Sequence, residues 1–247
     1  MSKISDRLSK LGQTETIGFG FGVRSLTRKI PLILTAVTIH KPTDIKDLDA
    51  DLFIISNGLQ QPKKLIGPDI WGVSVSDRSE SDIDALVSSG ADFLLIEKDS
   101  APGVFLCGED TGKGFVVDWD LPEKRAKAVD NGPFDFLILD ASSLNLPLDV
   151  RGVLDLQEQI SYYSRHIFLR LTQLPTNQDL ELLRDIGISA LLYDISDVKT
   201  TGFANLKESI DKLEPRKEKR AAPAVLPSSG SSLDETDVIE HEEDDWE

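Results

Sequence analysis

Four carboxylates follow apolar runs of the sequence, at positions where a parallel sheet presents functional side chains. They are Glu97, Asp118, Asp140 and Asp194. Converging carboxylates hold Mg2+, which prefers oxygen ligands, and they act as general acid and base where burial separates their pKa values. We predict Glu97, Asp140 and Asp194 as catalytic residues and Asp118 as a ligand-binding residue. The alternative role for each acid is to cap the next helix or to accept backbone N–H groups.

Four further residues complete the predicted site. Arg170 lies inside an apolar run, where a guanidinium is costly unless it is paired, so we add it to the catalytic candidates. His40 is the only one of the three histidines that follows a predicted strand at its carboxyl end. Lys199 and Thr200 precede the last predicted helix, and a helix N-terminus favours anions. We therefore predict His40, Lys199 and Thr200 as ligand-binding residues.

Motifs of several enzyme classes are missing from the chain. It has no H-x-x-x-H, C-x-x-C or H-E-x-x-H pattern, which argues against a zinc site. It has no G-x-S-x-G nucleophile turn. The glycine run at 18–22 lacks the flanking strand and helix of a dinucleotide fingerprint, and GEDTGKG at 108–114 lacks the Ser or Thr of a P-loop. We interpret the glycine run as a lead-in and GEDTGKG as a turn. We interpret Cys107 as a buried structural thiol. The sequence predicts no particular cofactor, which we leave as unknown.

Apolar runs alternate with helical patterns from residue 30 onward, and they are continuous enough to be strands buried on both faces. The runs are 31–39, 51–55, 70–76, 92–97, 115–119, 134–140, 167–171 and 190–195. Capping-box patterns at Ser81 with Asp84 and at Thr176 with Asp179 predict helix starts, and Gly187 predicts a helix end. The segment 101–114 predicts a small hairpin instead of a helix.

Three phrases, GADFLLIE, GPFDFLILD and GISALLYD, share a helix-ending glycine, an apolar strand and a terminal acid. With these phrases the chain resembles the TIM-barrel superfamily over roughly residues 30–213. The resemblance implies a (β/α)8 barrel with its site at the carboxyl ends of the strands. An open doubly wound parallel sheet is the alternative. Phosphate-binding members of the superfamily carry glycine-rich loops after the seventh and eighth strands, and of these glycines this chain has only Gly202. Lys199 and Thr200 could still contact a phosphate there.

Charge and composition define the rest of the chain. We divide it into a lead-in at 1–29, a barrel-like domain at 30–215 and a disordered acidic tail at 216–247. The net charge of −16 argues against nucleic acid or an anionic membrane as partner. No apolar run approaches the roughly 20 residues of a membrane span, and no secretory signal is present. With its single cysteine, the chain is predicted to be cytoplasmic.

Two functions are consistent with these patterns. The first is a catalytic or ligand-binding barrel that acts on a small polar or phosphorylated molecule. The second is a non-catalytic barrel that binds a protein partner through its acidic tail. Trp71, Phe115 or Trp119 closing the strand ends would favour the second function, whereas an open polar site there would favour the first.

Overall fold

A closed barrel of eight parallel strands forms the centre of the protein and confirms the predicted (β/α)8 fold over the open sheet. The computed structural model describes residues 2–17, 26–40, 48–56, 70–76, 78–108 and 110–215. The barrel strands, in chain order, are β3 (Leu34–Ile39), β4 (Leu52–Ile55), β5 (Ile70–Ser74), β6 (Phe93–Ile96), β7 (Gly112–Val117), β8 (Phe136–Asp140), β9 (His166–Arg170) and β10 (Ile188–Asp194). A separate antiparallel pair, β1 (Thr14–Ile17) and β2 (Leu26–Lys29), precedes them.

Helices connect most of the barrel strands for which the connection is described. They are α2 (Glu80–Ser88), α3 (Glu123–Asp130), α4 (Val150–Ile160), α5 (Asn177–Ile186) and α6 (Thr200–Asp211). The capping box of Thr176 with Asp179 and the left-handed Gly187 are confirmed at the two ends of α5. The side chain that caps α2 is Ser79, bonded to Asp82, so the predicted start at Ser81 was two residues late.

The barrel closes by the parallel pairing of its first and last strands, β3 and β10. In that ladder Thr38 lies opposite Asp194. The ladder of β8 and β9, two strand pairs away, sets Asp140 opposite Arg170. Because all eight strands are parallel, their carboxyl ends lie at one end of the barrel, which we call the mouth.

Two hydrophobic layers follow from the alternation of side chains along each strand. Residues such as Val37, Phe53 and Leu191 pack with helix residues and therefore face outward. Their neighbours on the same strands, such as Ala36 and Leu192, form a second cluster inside the barrel. The mouth residues that continue the inward register therefore extend this inner layer.

Three phenylalanines fill the barrel interior, and glycines on the strands paired with β6 and β8 make room for two of them. The ring centroids of Phe136 and Phe168 are 4.4 Å apart, and Phe93 meets Phe136 edge to face at 5.4 Å. A Cβ at Gly114 would lie 2.3 Å from the Phe136 ring, and one at Gly72 would lie 2.3 Å from the Phe93 ring. No side chain fits at these two positions while the rings keep their places.

The amino end of the barrel is covered by helix α1 (Lys3–Ser9). Ile4 and Leu8 are buried in the inner cluster. Asp92 accepts the backbone N–H groups of Lys3 and Ile4 at 2.8 and 2.7 Å, which fixes the helix N-terminus. Ser5 donates to Asp135 at 2.7 Å. The predicted lead-in therefore contributes directly to the core.

Strand β7 corrects the sequence interpretation of residues 101–119. The predicted hairpin is a 3-10 helix, Gly103–Leu106, and the segment interpreted as a glycine turn enters the strand at Gly112. The strand starts three residues earlier than predicted because Gly112 and Gly114 make room for Ile4 and Phe136. Cys107 is exposed, so its interpretation as a buried thiol was wrong.

Some predictions concern residues outside the described ranges. The glycine run at 18–22 is one, and the acidic tail at 216–247 remains a prediction for the same reason. In the part of the chain that is described, no helix is long and apolar enough to cross a membrane.

Gly114→Ala tests the packing of the interior. The added Cβ would overlap the Phe136 ring, and overpacking a core costs about 1–3 kcal/mol. Gly103→Ala is the matched control, because a Cβ there meets no atom within 4 Å and the backbone φ is not positive. We expect Gly114→Ala to lower the free energy of unfolding measured in urea, and Gly103→Ala to leave it unchanged or slightly raised. Equal effects would contradict the packing argument.

Candidate functional site

Polar residues continue the inward-facing register of the strands at the mouth. Leu52 and Ile54 of β4 lie in the inner cluster, and Ser56 is the next residue in the same alternation. In the other seven strands, the residues that continue this inward alternation at the mouth are His40, Ser76, Glu97, Asp118, Asp140, Arg170 and Asp194. The interior thus changes from apolar to polar at the mouth, and each strand contributes at least one polar group.

A continuous series of hydrogen bonds joins three neighbouring strands, β10, β3 and β4. Asp194 Oδ2 lies 2.6 Å from His40 Nε2, and His40 Nδ1 lies 2.5 Å from Ser56 Oγ. Ser56 Oγ also lies 3.1 Å from the carbonyl oxygen of Ile39. We call Asp194, His40 and Ser56 the histidine series. The imidazole is held at both nitrogens, yet 45% of the side chain remains exposed to a ligand.

The single hydroxyl proton of Ser56 links this geometry to the protonation state of His40. With a neutral imidazole, Nε2–H donates to Asp194 and Nδ1 accepts the Ser56 proton. With an imidazolium, Nδ1–H donates to Ser56 Oγ, and the hydroxyl proton turns to the Ile39 carbonyl. Both states satisfy every group, so the series accommodates the gain and the loss of a proton without moving a heavy atom.

Asp194 is held ionised by its donors. Burial alone raises the pKa of this carboxyl, but the hydroxyl and amide of Ser196 and the His40 imidazole outweigh burial and hold the pKa below its ordinary value. The Ser196 hydroxyl and amide lie 2.6 and 2.9 Å from Asp194 Oδ1. A carboxylate in this position favours the Nε2–H tautomer of His40 and stabilises its imidazolium form.

Arg78 fixes the backbone beside Ser56. Its Nη2 donates to the Ser56 carbonyl at 3.0 Å, and its Nε donates to the Ser74 carbonyl at 3.1 Å. Burial lowers the pKa of this guanidinium, and the nearby Asp82 partly offsets the effect. The sequence indicates Ser56 and Arg78 only as polar residues after strands. Ser56 could have been singled out by its inward alternation with Leu52 and Ile54.

The other catalytic candidates pair with their own neighbours. Glu97 accepts a hydrogen bond from Ser76 at 2.7 Å. Arg170 Nη1 lies 3.5 Å from Asp140 Oδ2, so the guanidinium has the partner that its place in an apolar run required. Asp140 Oδ1 also accepts the Ser142 amide at 3.0 Å, the turn interaction that was the alternative to a catalytic role.

Asp118, Lys199 and Thr200 are exposed. Lys199 is the N-cap residue of α6 and makes no side-chain cap bond, so the first-turn N–H groups of that helix lie open at the mouth. Among the described residues, no three His, Cys, Asp or Glu side chains are placed to share a metal ion. The four predicted carboxylates therefore do not converge on one Mg2+ site within that part of the chain.

The aromatic residues considered as closures of the strand ends lie elsewhere. Trp71 belongs to the outer layer, and Phe115 and Trp119 pack against that layer. Phe115 also borders a groove of about 250 Å3 beside the 3-10 helix. A second cavity of about 490 Å3 lies near the amino ends of β7 and β8 and is lined by Lys113 and Arg165. Neither cavity is lined by a residue of the histidine series.

Comparison with known proteins identifies the fold. No model of a protein family matches the chain, and no curated protein matches it. A mutant tryptophan synthase alpha-subunit from the hyperthermophile Pyrococcus furiosus superposes with a TM-score of 0.56 at 11% identity, covering 73% of this chain and 97% of that one. KGPDC from Streptococcus mutans superposes with a TM-score of 0.52 at 11% identity, covering 72% and 97%. The chain has the TIM-barrel fold, without a match to a characterised family.

Proposed function

We propose that this protein is an enzyme that acts on a small anionic molecule, such as a phosphorylated one, at the mouth of the barrel. The observation that carries the proposal is the histidine series, in which His40 lies between a carboxylate and a hydroxyl. His40 is the general acid and base. The TIM-barrel enzymes to which the chain is similar support the proposal by analogy of fold only.

His40 suits proton transfer for three physical reasons. Imidazole changes its charge near neutral pH, unlike the other side chains of the series. Asp194 fixes the tautomer and stabilises the positive charge that forms when His40 accepts a proton. The partly exposed side chain lets a ligand approach the series, in which Ser56 is the group bonded to Nδ1. Proton transfer by a positioned histidine contributes about 10²–10⁴-fold to a rate.

Binding of an anion is assigned to the end of β10 and the start of α6. The open N–H groups of the first turn and the Lys199 ammonium provide positive potential. Gly202 allows the connection between β9 and α5 to pack against the start of α6, because a Cβ at this residue would lie 2.8 Å from Leu174 Cδ1. Thr200 adds a hydroxyl donor at the same helix end. This arrangement compensates for the missing glycine-rich loops.

The remaining candidates orient the polar part of the ligand. Arg170 can exchange its 3.5 Å contact with Asp140 for a bidentate bond to a ligand carboxylate or phosphate. Glu97 and Asp118 offer acceptors to ligand hydroxyl groups from the opposite side of the mouth. The alternative function, a protein-interaction module acting through the acidic tail, concerns residues outside the described ranges.

Lys199→Ala tests the anion site. Inorganic phosphate and triose phosphates should raise the melting temperature of the wild type, because a ligand at a hundred times its Kd adds about 2.7 kcal/mol. Losing one charge-assisted bond of about 1.5–3 kcal/mol should weaken binding at least about tenfold in Lys199→Ala. Lys212→Ala, at the opposite end of α6, is the control. No shift with any phosphate, or equal weakening in both variants, would reject the site.

His40→Gln tests the acid–base role. A phosphate ester that stabilises the wild type is followed for turnover by NMR spectroscopy. We expect His40→Gln to slow turnover by about 10²–10⁴-fold while the ligand still raises its melting temperature. Unchanged turnover in His40→Gln would remove His40 from the chemistry.

The titration of Asp194 predicts a pH dependence of stability. Its native pKa lies below the ordinary value of 3.8, so the ionised carboxylate stabilises the fold above that pH, and this contribution is lost as the pH falls through the native pKa. Asp194→Asn should therefore lose less free energy of unfolding than the wild type between about pH 6 and pH 2.5. Asp120→Asn, at an exposed carboxylate outside the series, is the control, and equal acid sensitivity in both variants would contradict the prediction.

A further inference from the structure

We infer that Ser56 is a nucleophile and that the small anionic substrate of the proposed function is a carboxylic ester. This inference rests on the proposed function because it uses the same His40. It adds a covalent step that acid–base catalysis alone does not require. The observations that carry it are the contacts of the Ser56 hydroxyl, its place in the mouth and the bonds that fix its main chain.

The Ser56 hydroxyl has one proton and two acceptors. Its Oγ lies 2.5 Å from His40 Nδ1 and 3.1 Å from the Ile39 carbonyl oxygen. The imidazole is the stronger base, and Asp194 stabilises the charge that it gains. A nucleophile bonded to a base that a third group orients is the arrangement that activates a serine. Here the order on the ring is Nε2 toward the acid and Nδ1 toward the hydroxyl.

A second serine at the mouth shows what distinguishes Ser56. Ser76 donates to Glu97 at 2.7 Å. Its partner is a carboxylate, which is a much weaker base than an imidazole. The two serines thus share the same end of the barrel, and only Ser56 is bonded to a group that can take its proton near neutral pH.

Arg78 fixes the main chain from which the nucleophile projects. Its guanidinium donates to the backbone carbonyl of Ser56 at 3.0 Å and to that of Ser74 at 3.1 Å. These two bonds hold the end of β4 against the end of β5 and thereby position the Ser56 side chain beside His40.

The reaction balances with water as the only second reactant. Ser56 Oγ bonds to the ester carbonyl carbon while its proton moves to His40 Nδ1. The carbon–oxygen bond to the alcohol breaks, and the leaving alkoxide takes the proton from Nδ1. Water then attacks the acyl group, its proton passes to Nδ1 and on to Ser56 Oγ, and a carboxylic acid is released.

The test uses the full-length protein with diisopropyl fluorophosphate and p-nitrophenyl acetate. In the first reaction the Oγ–P bond forms, the P–F bond breaks and fluoride leaves. We expect one diisopropylphosphoryl group per chain, located on Ser56 by peptide mass spectrometry. Ser56→Ala should remove the adduct, and His40→Gln should slow labelling by about 10²–10⁴-fold. p-Nitrophenyl acetate should give a burst of one nitrophenolate per chain.

Three further variants separate chemistry from structure. Ser142→Ala, an exposed serine at the same mouth, should be labelled like the wild type. Asp194→Asn should slow labelling, because the imidazole has lost the carboxylate that fixes its tautomer, and Asp194→Glu, which keeps a carboxylate, should recover part of the rate. A merely structural role of Asp194 would leave the labelling rate of the folded Asp194→Asn variant unchanged. Circular dichroism confirms that each variant is folded before it is compared.

Three results would overturn the inference. They are no adduct on Ser56 in the folded wild type, an adduct on another serine, or equal labelling of the wild type and His40→Gln. Phosphate binding that depends on Lys199, together with turnover that depends on His40, would leave the proposed function standing in each of these cases. Only the covalent step would then be rejected.

Discussion

The parallel pairing of β10 with β3 is the constraint on which the site depends. Asp194 and His40 are 154 residues apart in sequence, and closure of the barrel brings them to 2.6 Å. The register sets Asp194 opposite Thr38, two residues before His40, so both side chains continue the inward alternation. A slip of one residue would turn Asp194 into the outer hydrophobic layer and separate the pair. The same register that buries the apolar residues therefore assembles the histidine series.

The filled interior restricts what the mouth can hold. Phe136 and Phe168 of the adjacent strands β8 and β9 stack inside the barrel, with Phe93 against Phe136, and Gly72 and Gly114 leave the room that the Phe93 and Phe136 rings occupy. Helix α1 closes the amino end. In the proposed function, a ligand therefore approaches the site from the mouth.

Most of the strands were predictable from sequence, because a continuous apolar run with an acid at its end is a pattern of neighbouring residues and needs no knowledge of distant contacts. The error at β7 had a non-local cause. Gly112 and Gly114 favour a turn when they are considered locally, but they lie in a strand because Ile4 and the Phe136 ring from other elements occupy the space. For the site, the sequence predicted which residues lie at the mouth but not which of them contact each other. Whether Asp140 meets Arg170 depends on strand register, and spacing in one sequence does not contain that information.

The number of acids at the mouth says less about its chemistry than the partner of each acid does. Asp140 accepts an amide hydrogen bond and lies beside a guanidinium, and Glu97 accepts a serine hydroxyl. Neither set of partners gains or loses a proton near neutral pH. Asp194 alone among these three acids is bonded to an imidazole, and Ser196 supplies the donors that keep it ionised. Because the imidazole is in turn bonded to Ser56, a proton can move along the histidine series while the carboxylate keeps its charge. In the proposed function, proton chemistry is therefore assigned to the ends of β10, β3 and β4, and the binding and orientation of the ligand are assigned to the other polar groups of the mouth.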